Sequence, residues 1–487
     1  MSAISSTTQA AALPPGPGLP NAVIDASCRN AVVFLFAKSV SWLVLASILG
    51  FIASLKFHAP YILSDSAWST YGRIQPAAIN LFIYGFAVQA ALGVALWIIC
   101  RLGRTKLVQP GIIVAGAMLW NLGVALGVLG ILIGDGTGYE WLDMPRYASP
   151  ILFAAYALIG ICALLTFHNR REPSLYVSQW FLLAALFWFP WIYSTANLLL
   201  VFAPVRGVLQ AVVNWWYMNN LSMIWFGFIG LGTIFYFVPK LLGRPLFSHY
   251  YAIFAFWTLA LFGSWGGIHH GAPVPAWMPG VSTVFSVMAI VPVIAIATNL
   301  HRTLAGKYGE LTANKPLLFV AFGALAYVAA AVLRSWVSLP YMSRVLHFSF
   351  FTPAHTQLFL YGFLAMTLFG AIYYITPRIM RMEWPSAGSI NRHFWLSAIG
   401  IGIYFLSLAV GGFQQGHALL DSNKPFLDTL QPGLRMLRVS TMGELLMAAG
   451  NVLLAVNLGR MMLRCCLSCC VTPLMAAIKP ETAEVKP

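Results

Sequence analysis

Charge is what this sequence of 487 residues has least of. Asp, Glu, Lys and Arg together make up 8% of it, against roughly a quarter of an ordinary soluble domain. With 60% of the residues hydrophobic, a lipid bilayer is the solvent that tolerates such a balance, and a soluble enzyme domain is excluded. Acids are scarcer still: 13 against 28 Lys and Arg, for a net charge of +15. The basic residues fall as short clusters between apolar runs and form no continuous basic face, which excludes a nucleic-acid partner and suits anionic lipid headgroups instead. A secretory leader is also missing. Residues 1–30 are rich in Ser, Thr, Ala and Pro around Pro14, Pro15, Gly16 and Pro17, with no basic stretch leading an apolar one. They read as a flexible cytoplasmic tail. Cysteine is sparse, seven in all, with four clustered at Cys465, Cys466, Cys469 and Cys470. No disulfide framework follows from that. Cys466 and Cys469 have the spacing of a covalent haem attachment, but Cys470 stands where that motif needs His. Without a histidine the cluster is read as incidental.

What the sequence does hold is about twelve apolar runs long enough to cross a bilayer. They lie near residues 31–55, 77–100, 111–134, 148–167, 179–203 and 212–238, then 251–267, 277–300, 316–339, 351–376, 394–413 and 439–458. The seventh is the shortest. The expected fold is an all-α polytopic membrane bundle over residues 31–460, followed by a Cys-containing cytoplasmic tail over 461–487. Orientation follows from the basic residues, which stay cytoplasmic near span ends. Arg101, Arg104 and Lys106 follow the second span, and Arg170 and Arg171 the fourth. Lys240 and Arg244 follow the sixth, Arg302 and Lys307 the eighth, Arg378 and Arg381 the tenth, Arg460 and Arg464 the twelfth. The odd-numbered exits are poorer in cations and carry acids such as Asp65, Glu140 and Asp143. Both termini are therefore expected in the cytoplasm. Tyr236–Lys240 and Tyr374–Arg378 end the sixth and tenth spans alike, each with a proline and a cation. A helix C-terminus explains that likeness without duplication.

Histidines supply the candidate chemistry. His168, His249, His301 and His393 fall in or beside cytoplasmic loops, whereas His58, His269, His270, His347, His355 and His417 fall toward the outer ends of spans. A cofactor is to be sought at that outer level. His355 is the sharpest residue, because it sits about a turn inside the tenth span and an ionisable group at membrane depth is functional by default. The bland alternative is a neutral imidazole bonded to a neighbouring helix. His269 and His270 are adjacent, and two imidazoles in sequence reach one metal only where the backbone leaves the helix, which the preceding Gly266 and Gly267 permit. Two solvated loop histidines are the alternative. Asn219 and Asn220 add amides near the outer start of the sixth span, and Glu444 and Lys38 look buried, as paired or snorkelling groups.

Taken in order, the Trp215–Trp216–Tyr217 start of the sixth span, its Tyr236–Lys240 exit, the His269–His270 pair and His347 eight residues before His355 form a recognisable set. The chain resembles subunit I of the haem-copper oxidase superfamily, most closely the cbb3-type cytochrome c oxidases and their nitric oxide reductase relatives, from about Thr70–Arg73 to Asn457. The resemblance implies that His355 binds the high-spin haem. It also puts Gln357 and Ala78 where both axial ligands of the low-spin haem belong, so that haem is not expected. Copper is called into question, since His269 and His270 match two of its ligands but Asn219 replaces the third. Gly263 stands where the cross-linked tyrosine belongs, and in the cbb3 type that tyrosine is bonded to the very histidine that Asn219 replaces. The segment Arg244–His249 resembles a proton-uptake entrance stripped of aromatic hydroxyls, and Arg435 or Arg438 would pair with haem propionates.

The expectation is thus a cytochrome c oxidase subunit I-like membrane haem protein of a bacterial inner membrane, with one b-type haem on His355 and oxidase turnover lost. Its partners would be other respiratory-complex subunits, including a membrane-anchored cytochrome c as electron source. Two alternatives stand beside it. One is an active terminal oxidase or nitric oxide reductase with unusual ligands, the other a cofactor-free assembly subunit or transporter.

Overall fold

The computed structural model describes residues 19–467. Among them every regular element is helical. Eleven helices have the length and apolarity to cross a membrane: α1 (Asn21–Lys56), α2 (Tyr71–Gly103), α3 (Pro110–Ile133), α4 (Ala148–His168), α5 (Val177–Phe202), α6 (Leu209–Leu242), α8 (Trp277–Leu304), α9 (Lys315–Val337), α10 (Phe351–Met380), α11 (Ala387–Leu419) and α12 (Phe426–Cys466). The twelfth, α7, is the short apolar helix His249–Gly263. It corresponds to the shortest run in the sequence, so all twelve runs are helices.

Three helices form the hub. The most apolar stretches of α2, α6 and α10 are buried on every side, whereas those of the other long helices are at most half-buried. A helix apolar all round belongs in the interior, and a helix with one buried stripe belongs against it with its other face toward lipid. Ile133, Phe187 and Leu325, each more than two-thirds exposed, mark that lipid-facing rim. Tight packing at the hub uses glycine: a methyl on Gly323 of α9 would run into Thr367 and the Phe363 carbonyl of α10. Small residues at such crossings let backbones approach closely in a membrane.

The hub helices share a second feature. Each carries a π-helical segment, at Leu81–Ala87 in α2, Leu221–Phe226 in α6 and Leu358–Ala365 in α10. Such bulges are frequent at functional sites, and here each begins within three residues of Ala78, Asn219 or Gln357; α5 carries one as well, at Leu198–Phe202. All three helices also end on a left-handed residue, Arg104, Gly243 and Arg381. The N–H groups of Gly243 and Arg381 cap the carbonyls of Pro239 and Pro377, so the similar exits of the sixth and tenth runs are one capping geometry used twice.

Several expectations need correction. Residues 21–30 are not tail but the first turns of α1, because Asp25 pairs with Arg101 at 3.2 Å and accepts from the Trp97 indole at 2.9 Å. Arg29 adds a bond to the Ile379 carbonyl at 2.8 Å. At the other end α12 runs on to Cys466, past the expected start of the second tail, while Cys469 and Cys470 lie outside the described residues. Lys38 is exposed and lies over the Phe34 ring, 5.9 Å from its centre. It is therefore not a partner of Glu444. His393, placed beside a cytoplasmic loop by sequence, is fully buried in α11, with Nδ1 2.9 Å from the Tyr373 hydroxyl.

Candidate functional site

A cavity of about 420 Å³ lies between α6, α8, α9 and α10 and the segments that follow α7 and α9. That size is typical of a ligand or cofactor site. Four of the six histidines expected at the outer level, His269, His270, His347 and His355, line it. His58 instead faces Thr441 at 3.1 Å, and His417 packs on Phe413.

His355 Nε2 lies 2.9 Å from the carbonyl oxygen of Ala330 on α9. A carbonyl only accepts, so Nε2 carries the proton and Nδ1 keeps its lone pair. This is the second-shell arrangement that fixes the tautomer of a ligating imidazole. Around it the walls are apolar, including Ala331, Val337, Phe351 and Phe359.

The glycine pair before His269 acts as sequence suggested. The helix α7 stops at Gly263, and Gly267 takes φ +104°, a conformation open to residues without a Cβ. The chain then turns so that both imidazoles line the cavity. They do not point to one atom, however. His270 Nε2 sits 2.7 Å from the Thr283 hydroxyl, whereas the His269 ring lies against His347, tilted by 31° with centroids 3.5 Å apart. Burial first, then His347 and Arg334, pushes His269 down to about 3, and burial lowers His347. Both rings are neutral at pH 7.

Asn219 does two things at once. Its amide nitrogen donates to the Gly263 carbonyl at 2.8 Å, and its carboxamide oxygen accepts from the guanidinium of Arg334. Arg334 reaches in from α9 one turn beyond Ala330 and also lines the cavity. Sequence reading missed it. The signal was a cation lying inside an apolar run, 316–339, rather than beyond its end.

The resemblance implies two groups at this cavity. A haem fits, since one oriented imidazole with a lone pair lines a cavity of about 420 Å³ whose wall around His355 is apolar. Copper does not fit. Asn219 Oδ1 is occupied by a permanent cation, and a second positive charge beside it in a low-dielectric site is disfavoured by Coulomb repulsion. Among the described residues no three His, Cys, Asp or Glu side chains are grouped to hold a metal ion.

A second cavity of about 150 Å³ lies between α1, α2, α10, α11 and α12. Ala78 and Gln357 both line it, with Tyr361, Tyr404, Glu444 and Asn451. The two positions read as vacated axial ligands thus do face one space. No imidazole lines that space, so the residues present do not fit a haem ligated on both faces. Tyr361 bridges Ser397 and the Asn451 side-chain oxygen at 2.9 Å each, and Asn451 donates to Ser47 at 2.9 Å. Arg435 and Arg438 are exposed on α12, and neither is among the residues lining the two cavities.

The loop between α3 and α4 closes the larger cavity from one side. Glu140 and Trp141 line it, held by Asn214 donating to the Glu140 carbonyl at 3.0 Å and Tyr84 donating to the Trp141 carbonyl at 2.7 Å. Beside them Asp143 accepts from Asn80 at 2.6 Å. Burial pushes its carboxyl up to about 6 despite that bond.

A family model described as cytochrome c and quinol oxidase polypeptide I matches residues 30–446. The cbb3-type cytochrome c oxidase subunit CcoN1 of Stutzerimonas stutzeri is 25% identical over 456 residues, covering 90% of this chain and 96% of its own length. A cytochrome c oxidase subunit 1 homolog of Azorhizobium caulinodans is 26% identical over 440 residues, 86% of this chain and 79% of that protein. Rhodobacter capsulatus has a cytochrome c oxidase subunit 1 that is 25% identical over 454 residues, 89% and 85% of the two chains. Among solved structures, a heme-copper terminal oxidase dimer determined by cryo-electron microscopy superposes with a TM-score of 0.70 at 14% identity, covering 89% of this chain and 84% of that one. At that identity the likeness speaks for the fold alone.

Proposed function

The chain belongs to the cytochrome c and quinol oxidase polypeptide I family, and from that premise we propose that it is a subunit I-like, cbb3-type membrane haem protein in which oxidase turnover has been lost. The carrying observation is His355, whose protonated Nε2 is fixed on the Ala330 carbonyl at 2.9 Å beside a cavity of about 420 Å³. One b-type haem would be held by His355, and when bound it would supply redox or gas-ligand chemistry at a single iron. The chain's own residues orient that imidazole, keep its surroundings apolar and close the cavity with the Glu140–Trp141 turn. The smaller cavity offers Gln357 and Ala78, neither a ligand for haem iron. Asn219 is tied to Arg334 and is a poor copper ligand.

In this reading the chain sits in a bacterial inner membrane with both termini cytoplasmic, as its basic even-numbered exits support. It works within a respiratory or electron-transfer complex and takes electrons from another subunit, such as a membrane-anchored cytochrome c. Haem and metal analysis of purified protein, beside a His355→Ala variant, tests the proposal. The expected result is one b-type haem per chain, no low-spin signal, no copper, and loss of the Soret band in the variant. Two haems with a low-spin band in the reduced spectrum would mean an active oxidase with unusual ligands. No Soret band at all would leave only the scaffold.

A further inference from the structure

Arg334 carries a charge that no acid answers. Three ion pairs occur among the described residues, and none includes it. Its acceptor is the neutral carboxamide oxygen of Asn219. A guanidinium has five N–H donors, and a buried cation is costly unless it is paired. The one carboxylate lining the same cavity, Glu140, forms no ion pair with it. The part-buried guanidinium therefore meets the cavity with no anionic partner in direct contact.

That space is also polar where Arg334 enters it. A methyl on Gly266 would stand 2.8 Å from Ser286 Oγ, 3.1 Å from Asn219 Oδ1 and 3.3 Å from Arg334 Nη2. Three polar atoms from α6, α8 and α9 thus pack together against Gly266, where a Cβ would not fit, and all three of their residues line the cavity. Ser282 adds a hydroxyl to the same wall, its oxygen accepting from the Ile268 N–H and its own hydrogen left to donate, and the neutral imidazoles nearby can donate. A single fixed cation beside such donors selects a small monovalent anion. A divalent anion would leave an excess negative charge in low dielectric beside Glu140.

We propose that the cavity binds a small monovalent inorganic anion, of the halide or nitrite class, on the guanidinium of Arg334, in the position that the family resemblance gives to copper. The site is made by this chain's own residues: the Asn219 oxygen is engaged by Arg334 rather than free for a metal, and Arg334 supplies the charge that an anion needs. A haem on His355 would bring propionate carboxylates that compete with the anion for that guanidinium.

The test uses the full-length protein purified in detergent, at constant ionic strength with bulky gluconate as the balancing anion. Thermal unfolding is followed while sodium bromide or sodium nitrite replaces gluconate, and the Soret band is read in the same samples. A saturable rise of several degrees is expected, because a ligand that binds only the folded state stabilises it by mass action. Arg334→Gln should abolish the rise and keep the Soret band. Asn219→Asp should abolish it too, by supplying an internal carboxylate, and should unfold at a higher temperature without added anion. His355→Ala should lose haem and keep the anion response. No saturable response in either the parent or the haem-free His355→Ala protein, or an undiminished one in Arg334→Gln, overturns the proposal. So does a response lost in a folded His355→Ala protein, which would put the anion on haem iron. A missing Soret band with an intact anion response would count against the haem reading alone.

Discussion

Asn219 donates its amide hydrogen to the backbone carbonyl of Gly263 at 2.8 Å. The two are 44 positions apart, on α6 and in the last turn of α7. A single hydrogen bond between a side chain and a backbone group thus ties the two helices together. Ile224 and Leu259 close in on the face of Gly263, where a methyl would lie 3.1 and 3.3 Å from them. Asn219 and Gly263 thus form one packed unit.

Removing that link should be costly. Asn219→Ala leaves the Gly263 carbonyl and the Arg334 guanidinium without their partner in a buried place, and each orphaned group costs about 1–3 kcal/mol. The variant should unfold several degrees below the parent in a thermal scan in detergent. An unchanged midpoint would mean that water replaces the amide at both ends.

His355 and Gln357 are two residues apart on α10, yet they line different cavities. His355→Ala should therefore remove the haem, whereas Gln357→Ala should leave the Soret band in place and unshifted. Pyridine haemochrome analysis of both variants reads this directly. Equal loss in the two would show that the haem lies between α2 and α10 instead.

The sequence made much of this legible, for definite reasons. Runs of about 20 apolar residues have one stable solution in a bilayer, so the twelve helices could be read individually, including the short α7. His355 stood out because imidazoles are rare at that depth. Arg334 did not, because Lys or Arg at a span end ordinarily snorkels. Only the contact between α6 and α9 shows that it turns inward. His347 was recognisable as an outer histidine, but its contact with His269 depends on two segments more than 70 residues apart. Residues 21–30 were misjudged because their polar groups look solvated until Arg101 and Trp97 are brought alongside.

Asp143 gives a pH dependence with a definite sign. Its carboxyl is ordinary at 3.8 and about 6 in the folded chain, so the folded state binds more protons between those values. Stability should rise as pH falls from about 6 to about 4, and the penalty should be fully present above 6. Asp143→Asn keeps an acceptor for Asn80 and removes the charge. It should stabilise the protein by up to roughly 3 kcal/mol at pH 7.5, with the gain shrinking toward pH 4.5. Thermal midpoints of both proteins across that range decide it. A pH-independent difference would mean that packing, not charge, is responsible.

Gly323 offers a test of how the hub supports the larger cavity. It lies on α9, two turns before Ala330, where the backbone meets Thr367 and the Phe363 carbonyl of α10. Neither neighbour can yield easily, one being backbone and the other a hydroxyl committed to the Phe363 carbonyl at 2.7 Å. An added methyl must push α9 away from α10, and overpacking of this kind costs about 1–3 kcal/mol. The displacement would lengthen the bond between His355 and Ala330 that fixes the imidazole tautomer. Gly323→Ala should therefore lower the thermal midpoint and also weaken haem retention, read as a faster transfer of haem to an excess of apomyoglobin. Loss of stability with unaltered haem transfer would show that the α9–α10 contact is scaffold only, and that Ala330 holds its place by other means.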